Sequence, residues 1–501
     1  MTLPTRTGRC SCRSPIASCT RSRRRASLPV FRLGGYPTGH PQRGRDAALP
    51  LRVTSPYDGA EICELPFDEG DALERKVAFA YAAQDVWSRV PLDERIARVR
   101  DGMNYFRDNA ESIAEDVTRQ MGKPLAQARG EVATLLDRAD HMLSLAPDAL
   151  APDVLDGPGF VRRIEHVPLG VVLDIAAWNY PLIIAVNVIV PALVAGNSVL
   201  LKHSAKTPLC GRAYTDAFAS IEPAGLVQDV ILTHDATSAL IADRRIAHVS
   251  FTGSTDGGRN IYAAAAARLM DAGLELGGKD PAYVAADADL ETAVESIVDG
   301  ACYNAGQSCC AVERVYVHES VHDDFIERAR SIMEQYRLGN PLDEDVTMGP
   351  LASAAVHLAL EGHVRDATRR GARVLLGGGA MYGSLFWLPT LMVDVPNDAL
   401  VMQEESFGPL LPVMRVADDE EALRAMDETR YGLTASVWTT DTTRAERMAR
   451  ELDAGTIFQN RCDFLDPALP WSGCRESGIG STLSRYGFLH LTKRKALHFK
   501  I

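Results

Sequence analysis

The sequence predicts an α/β protein with two domains, each built around a mostly parallel β-sheet. The length supports more than one domain, because 501 residues exceed the usual size of a single core. The composition is that of a globular protein, with 46% hydrophobic and 24% charged residues. Short runs rich in Val, Ile and Leu alternate with longer helical stretches along the chain. This alternation is typical of βαβ units and therefore of parallel sheets.

The first series of predicted strands runs from residue 170 to residue 278. Helical stretches begin between the strands near Pro181, Thr207, Ala236 and Thr255. Each strand is a short apolar run bounded by polar or glycine-containing segments, as expected for buried strands of a parallel sheet. The five predicted strands are GVVLDIAAW, SVLLKHS, QDVILTH, AHVSFTG and AGLELGG.

A second series of apolar runs extends from Pro281 to about Gln459 and predicts a second sheet. Helical stretches separate these runs as well, so the same βαβ argument applies. We therefore place a domain boundary near residues 277–280. The five predicted strands of this series are PAYVAAD, VERVYVHE, ARVLLGG, LLPVMRV and TASVWTTD.

The stretch from Ile175 to Leu201 contains no charged residue and is long enough to cross a bilayer as a helix. Pro181, Pro191, Gly196 and three asparagines interrupt it. A strand, a buried helix and a second strand explain this pattern better than a membrane span. We therefore expect no membrane association.

Two segments outside these series predict contacts between subunits. GPGF at residues 157–160 lies between strand-like segments and is consistent with a protruding hairpin. The C-terminal sequence HLTKRKALHFKI predicts an edge strand, and edge strands commonly pair with another subunit. We therefore expect a homo-oligomer, either a dimer or a tetramer.

The first fifty residues differ in charge from the rest of the chain. They hold ten arginines, no lysine and one acid, Asp46, whereas the whole chain has a net charge of −13. They show no helical or strand periodicity, so we expect an Arg-rich, disordered extension. An organelle transit peptide and a non-native extension are both open interpretations. The acidic remainder disfavours nucleic-acid binding, which requires a basic surface.

The ten cysteines lack the paired spacing of a disulfide framework and the spacing of a zinc site. We therefore expect free thiols, no bound metal and a cytoplasmic location, with import into an organelle as an alternative. Two of the thiols, Cys309 and Cys310, lie in NAGQSCCA between a helical stretch and a predicted strand. A thiol at such a junction can face a cleft near backbone N–H groups, which favour the thiolate. Two buried structural thiols are the alternative interpretation.

Two further residues are candidates for the same chemistry. Glu275 ends the apolar run AGLELGG, where burial raises a carboxyl pKa and suits a general base. An ion pair with Lys279 is the alternative. Asn179 follows an apolar strand and can donate its side-chain amide to a developing oxyanion. A turn or cap ahead of Pro181 is the alternative role for this asparagine.

Seven motifs, taken in order, resemble those of the aldehyde dehydrogenase superfamily, and the resemblance extends from about Val53 to the C-terminus. The motifs are WNYP, AGNSVLLKHSAKTP, FTGST, LELGGKDP, NAGQSCCA, EESFGP and SGCRESGIG. The resemblance implies a Rossmann-like cofactor domain, an α/β catalytic domain and a small oligomerisation element made of a hairpin and a C-terminal strand. It implies the following division of the chain: an extension at 1–50, the NAD(P)-binding domain at 51–149 and 169–276, the catalytic domain at 277–472, and oligomerisation elements at 150–168 and 473–501.

The resemblance also implies a reaction, the NAD(P)-dependent oxidation of an aldehyde to its carboxylic acid. Cys309, rather than Cys310, would form a thiohemiacetal and then a thioester. Asn179 would hold the oxyanion, and Glu275 would activate the hydrolytic water. A coenzyme-A-acylating dehydrogenase and a catalytically silent, nucleotide-binding relative are the alternatives.

The cofactor contacts implied by the resemblance extend over both predicted domains. Lys202 would bind the adenosine ribose, Gly253 and Ser254 the pyrophosphate, and Glu405 with Phe407 the nicotinamide end. Phe464 and Leu465 would line the substrate entrance, or serve only as loop packing residues. The remaining positions implied to contact the cofactor are Ile175, Trp178, Ala205, Gly225, Gly258 and Leu276.

Four positions depart from the usual pattern of the superfamily. Ala177 replaces a proline, while Val188 and Thr482 replace a lysine and a glutamate of a proposed proton relay. Ala205, followed by Lys206, replaces the glutamate that binds the ribose 2′-hydroxyl in many NAD enzymes. Without that carboxylate a 2′-phosphate is not repelled, so we expect NAD or NADP as cofactor, with a slight preference for NAD.

Overall fold

The computed structural model describes residues 49–501, and the predictions that concern residues 1–48 lie outside this range. The strands of the described chain are β1 (Leu51–Thr54), β2 (Glu61–Leu65), β3 (Asp153–Val154), β4 (Phe160–Pro168), β5 (Val171–Ala176), β6 (Ser198–His203), β7 (Val227–Asp229), β8 (Ile246–Thr252), β9 (Ala272–Glu275), β10 (Asp280–Val284), β11 (Val312–His318), β12 (Arg373–Leu376), β13 (Thr390–Val393), β14 (Leu410–Val416), β15 (Thr434–Trp438), β16 (Thr456–Gln459), β17 (Gly478–Ile479) and β18 (Thr492–Lys500).

The helices of the same range alternate with these strands beyond residue 170. They are α1 (Gly70–Trp87), α2 (Leu92–Asp108), α3 (Ala110–Met121), α4 (Leu125–Ala149), α5 (Pro181–Ala195), α6 (Pro208–Phe218), α7 (His234–Ile241), α8 (Thr255–Ala266), α9 (Leu290–Cys302), α10 (His322–Met333), α11 (Ala354–Arg369), α12 (Leu400–Gln403), α13 (Asp419–Asp427), α14 (Thr442–Glu451) and α15 (Ser484–His490).

The first sheet has six strands in the order β17-β9-β8-β5-β6-β7. All neighbouring pairs are parallel except β17 with β9. β5 and β6 are buried at every position, which explains why their sequences are mainly apolar, with Asp174, Lys202 and His203 as the ionisable exceptions. The predicted parallel sheet is therefore confirmed, although β7 is shorter than the predicted run QDVILTH.

The second sheet has seven strands in the order β12-β13-β14-β11-β10-β15-β16. Only the pair β12 with β13 is antiparallel. The five predicted strands of this series are all present. Two further strands, β13 and β16, have only four residues each and were not among the predictions.

The uncharged stretch from Ile175 to Leu201 contains the end of β5, the whole of α5 and most of β6. Almost every residue of α5 is buried, because α4, β5 and β6 pack around it. A helix that is apolar on all sides belongs inside a protein core. Within residues 49–501, no helix is both long and apolar enough to cross a membrane.

A third, three-stranded sheet has the order β18-β4-β3. The predicted hairpin is present, since Gly157 pairs with Phe160 at its tip. The C-terminal strand β18 pairs with β4 over nine residues and lies at the edge, as predicted. The segment 473–501, which was predicted to be an oligomerisation element, also contains β17 and α15, and these contact β9 and α4 of the same chain. The role of these elements in assembly stays a prediction, as does the division into domains.

Candidate active site

The backbone turn before Cys309 connects α9 to β11 in a left-handed conformation. Asn304, Ala305 and Gly306 have φ values of 53°, 56° and 71°. A side chain at position 306 would also lie 2.8 Å from the nitrogen of Pro409. Such strained residues persist only where surrounding contacts hold them, and they concentrate at functional sites. Glycine at position 306 therefore satisfies both a conformational and a packing requirement.

Side-chain hydrogen bonds hold this turn in place. The Nδ2 of Asn304 donates to the carbonyl oxygens of Asn179 and Gln307, at 3.1 Å each. The Nε2 of Gln307 donates to the carbonyl of Asn304 at 3.0 Å, and its Oε1 accepts from the N–H of Ala352 at 2.9 Å. The motif NAGQ is thus the framework that presents Cys309.

The two adjacent cysteines have different surroundings. Cys309 is half-buried and lines a cavity of about 670 Å³. Cys310 is buried, and its Sγ donates to Oδ1 of Asp463 at 3.0 Å. Hydrogen bonding to Cys309, together with burial, raises the pKa of the Cys310 thiol well above its usual value. The more accessible thiol is therefore that of Cys309.

Glu275 lies at the end of β9 and lines the same cavity as Cys309. Its Oε1 accepts a hydrogen bond from Oγ1 of Thr482 at 3.0 Å. Its Oε2 is enclosed and has no partner among the described residues. Loss of hydration raises the pKa of this carboxyl to about 8, although the bond from Thr482 opposes the shift. A carboxyl with this pKa titrates near neutral pH, as a general base should.

The backbone after Glu275 passes directly against the cysteine turn. A Cβ at Gly278 would lie 2.5 Å from the carbonyl oxygen of Cys309, so only glycine fits. The alternative ion pair of Glu275 with Lys279 is not formed. The Nζ of Lys279 instead contacts Oε2 of Glu313 at 2.5 Å.

Asn179 is buried in the turn between β5 and α5. It does not cap α5, whose N-terminal flanking residue, Tyr180, also makes no side-chain cap. The N–H groups at the start of α5 are bound by Glu131 instead. Its Oε1 accepts hydrogen bonds from the N–H groups of Leu182 and Ile183, at 2.8 and 3.3 Å. The contact of its carbonyl with Asn304 places Asn179 next to the cysteine turn.

The N-terminus of α8 has the features of a pyrophosphate site. Ser254 is its N-cap and accepts from the N–H of Gly257 at 3.2 Å. Free N–H groups and the helix dipole make such an end attractive to anions. A Cβ at Gly258 would lie 2.5 Å from Leu276, and one at Gly253 would lie 2.7 Å from the ring of Phe251. Both glycines thus permit close packing of α8 on the sheet.

Lys202 is buried at the end of β6, beside Ile175 of β5. It forms no ion pair with any described residue, and burial lowers its pKa. An unpaired, enclosed ammonium fits the polar ribose of a nucleotide. Ala205 follows this strand. The Nζ of Lys206 donates to the carbonyl of Ala352 at 2.8 Å.

The segment that carries Glu405 and Phe407 is held by Glu313. The carboxylate of Glu313 accepts from the N–H of Ser406 at 2.7 Å and of Phe407 at 2.9 Å. Glu405 accepts from the N–H of Gly278 at 3.1 Å, and burial and the nearby Glu313 raise its pKa to about 8.

The aromatic ring of Phe407 packs edge-on against Trp178, with 5.5 Å between the ring centres. Phe407 also has a positive φ of 54°. This contact connects the turn after β5 to the segment that carries Glu405. The structure therefore brings Trp178, Glu405 and Phe407 close to the loop that also touches Cys309.

Two of the predicted positions lie at the cavity, and a third is explained by packing alone. Phe464 and Leu465 line the cavity of Cys309, and the guanidinium of Arg461 stacks 3.3 Å from the ring of Phe464. Gly225 has a φ of 96°, and a Cβ there would meet the ring of Phe79 at 2.8 Å. These contacts explain the glycine without a ligand, so its contact with adenine stays a prediction.

Sequence reasoning missed several residues that shape the site. Glu313 and the arginine after it form a charged pair in VERVYVHE, directly after Val312. Two charges inside an otherwise apolar strand indicate buried groups that have ionic or hydrogen-bonding partners. Thr482 was noted only as a replacement, and Arg138 carried no motif. Among residues 49–501, no group of three or more His, Cys, Asp or Glu side chains could hold a metal ion.

The chain is similar to known enzymes over most of its length. The sequence model described as the aldehyde dehydrogenase family matches residues 44–497. The succinate-semialdehyde dehydrogenase [NADP(+)] of Deinococcus radiodurans is 34% identical over 460 residues, covering 91% of this chain and 96% of that protein. The succinate semialdehyde dehydrogenase [NAD(P)+] Sad of Escherichia coli is 35% identical over 440 residues, covering 86% and 94%.

A solved structure supports the same assignment of the fold. Lactaldehyde dehydrogenase from Escherichia coli superposes with a TM-score of 0.87 at 33% identity, covering 90% of this chain and 96% of that one. The chain therefore belongs to the aldehyde dehydrogenase family and is an NAD(P)-dependent enzyme that oxidises an aldehyde to its acid.

Proposed function

We propose that Cys309 is the nucleophile, that Asn179 stabilises the oxyanion and that Glu275 is the base that hydrolyses the resulting thioester. The observation that carries this proposal is the shared cavity. The accessible thiol of Cys309 and the enclosed, unpartnered Oε2 of Glu275 line the same space. This is the pairing that covalent catalysis followed by hydrolysis requires.

The first half of the reaction joins the aldehyde carbon to the sulfur. The Cys309 thiolate attacks the carbonyl carbon, and the carbonyl oxygen becomes an oxyanion. The side-chain amide of Asn179 and the backbone N–H of Cys309 donate hydrogen bonds to it, and one such donor contributes about 3–4 kcal/mol. When bound, the nicotinamide supplies the hydride acceptor. Loss of hydride converts the thiohemiacetal on Cys309 into a thioester.

The second half of the reaction releases the acid. The ionised Oε2 of Glu275 accepts a proton from water, the hydroxide adds to the thioester carbon, and the Cys309 thiolate leaves. Because the pKa of Glu275 is about 8, its base form increases as the pH rises through this value. Steady-state turnover should therefore rise with pH across the same range.

The chain has residues that fit an NAD(P) cofactor. The N-terminus of α8 would bind the pyrophosphate through Ser254, and the unpaired ammonium of Lys202 would bind the adenosine ribose. We propose a slight preference for NAD. The cation next to Ala205 would favour a 2′-phosphate, but Lys206 is already bonded to the carbonyl of Ala352.

Burst kinetics test the proposed roles. Glu275→Gln should release about one equivalent of reduced cofactor per enzyme and then turn over slowly, whereas Cys309→Ala should release none. A silent relative would give no reduced cofactor with the wild type. If coenzyme A restored fast turnover to Glu275→Gln, the acylating alternative would replace hydrolysis. The cytoplasmic location and the homo-oligomeric state stay predictions of the sequence.

A further inference from the structure

A buried arginine that pairs with no carboxylate of residues 49–501 lies in the wall of the Cys309 cavity. Arg138 projects from the middle of α4 and is only 4% exposed. Its Nη1 donates to Oδ1 of Asn187 at 3.1 Å, and its Nε is enclosed without a partner among the described residues. No carboxylate of residues 49–501 forms an ion pair with it.

An enclosed charge without a partner is unfavourable, because hydration is lost and nothing replaces it. Burial accordingly lowers the pKa of Arg138 to about 10. Even so, the group remains a cation at neutral pH. The cavity wall therefore presents a positive charge and unused N–H donors.

The acidic residues around the cavity form no ion pair with Arg138, although the charge of Glu131 opposes the effect of burial on its pKa. Glu131 is occupied, since it pairs with Lys123 and bonds to the N–H groups at the start of α5. Asp463 accepts hydrogen bonds from Ser308 and Cys310. Asp137 and Asp299 also line the cavity, and both are exposed and form no ion pair with Arg138.

Part of the cavity wall is apolar and suits a carbon chain. Ile183, Ile184, Phe464 and Leu465 line it together with Cys309. The site thus offers a nucleophile, an apolar wall and a guanidinium within one space. A guanidinium is flat and presents parallel N–H groups, which match the two oxygens of a carboxylate.

We infer that Arg138 is a specificity-determining residue that binds an anionic group on the substrate, and that the substrate is a short aldehyde with a terminal carboxylate. This inference rests on the proposed function, because it assumes that the aldehyde carbon reaches Cys309 in this cavity. In that position the carboxylate supplies the counter-ion that Arg138 lacks, while the methylene groups contact the apolar wall.

The test compares two aldehydes of equal chain length that differ only in charge. Succinate semialdehyde carries a carboxylate where butanal carries a methyl group. We expect the wild type to prefer succinate semialdehyde by about 10–150-fold in kcat/KM, the ratio that corresponds to a hydrogen bond with a charged group. Arg138→Gln should lose most of this preference, because its KM for succinate semialdehyde rises far more than its KM for butanal.

Control variants separate this role from general effects on the protein. Arg129→Gln removes an exposed arginine from the same helix, where it pairs with Glu111 and Glu344, and should leave the preference unchanged. Arg138→Lys keeps the charge and should retain part of the preference. If Arg138→Gln does not fold, the ratio of kcat/KM for the two aldehydes, measured with the wild type and with Arg138→Lys, still tests the role of Arg138.

Each outcome distinguishes this inference from the proposed function. Oxidation of neither aldehyde would contradict the proposed function itself. Equal kcat/KM for both aldehydes with the wild type, or an unchanged preference in Arg138→Gln, would overturn the role of Arg138 alone. A higher kcat/KM for 3-phosphooxypropanal, which carries a phosphate, would overturn the choice of a carboxylate.

Discussion

The hydrogen bond from Thr482 to Glu275 allows a direct test of how the base is tuned. Oγ1 of Thr482 donates to Oε1 of Glu275 at 3.0 Å, while Oε2 has no partner in the described chain. This bond favours the ionised carboxylate, so it holds the pKa lower than burial alone would. Thr482→Val removes the donor and changes the size of the side chain very little. We therefore expect the pKa of Glu275 to rise above its value of about 8.

The size of the effect follows from the energy of the bond. A hydrogen bond to a charged group contributes about 1.5–3 kcal/mol, and one pKa unit corresponds to about 1.4 kcal/mol. The pKa of Glu275 should therefore rise by about 1–2 units in Thr482→Val. At pH 7.5 the fraction of ionised Glu275 should fall by about 10-fold or more, and thioester hydrolysis should slow in proportion.

The assay is the pH profile of steady-state turnover together with the burst of reduced cofactor. In Thr482→Val the burst should keep its amplitude, because Cys309 is untouched, while the midpoint of the turnover profile moves to higher pH. Thr134→Val is the control, since Thr134 lines the same cavity and its hydroxyl donates to the carbonyl of Gly130 instead. An unchanged midpoint in Thr482→Val would refute the proposed tuning.

Three further predictions concern the framework of the site. Glu313→Gln should lower the free energy of unfolding by about 3–5 kcal/mol in thermal or urea unfolding, because it leaves Lys279 buried without its partner, whereas Glu344→Gln at an exposed pair should change it by less than about 1 kcal/mol. Gly306→Ala should abolish burst formation, since alanine is strained at a φ of 71° and overlaps Pro409; Gly362→Ala, in open space on α11, should keep wild-type activity, and equal activities would contradict the packing argument. Cys310→Ser should retain the burst that Cys309→Ser loses, and the reverse pattern would reassign the nucleophile.

Much of the fold could be predicted because parallel strands are buried on both faces. β5, β6 and β11 are mainly apolar and almost entirely buried, and their limits agree closely with the predicted segments. β13 and β16 were missed because four residues are too few for a periodic pattern. The helices α1–α4 carry none of the motifs that directed attention to other parts of the chain.

The candidate site was predictable where chemistry and spacing coincide within one motif. NAGQSCCA and LELGGKDP each bring the reactive residue and its neighbours together in the sequence. Contacts between distant segments could not be predicted in this way. Arg138 bonds to a residue 49 positions away, and Thr482 contacts a carboxylate 207 positions away. Whether a charged side chain is enclosed depends on elements that the local sequence does not specify.

The covalent intermediate on Cys309 is the claim on which the rest of the mechanism depends. Intact-mass analysis of Glu275→Gln, mixed with NAD and an aldehyde that gives a burst, measures it directly. The mass should increase by that of the acyl group less one hydrogen, and peptide mapping should locate the addition on Cys309. An unmodified mass despite reduced cofactor, or an acyl group on Cys310, would contradict the account.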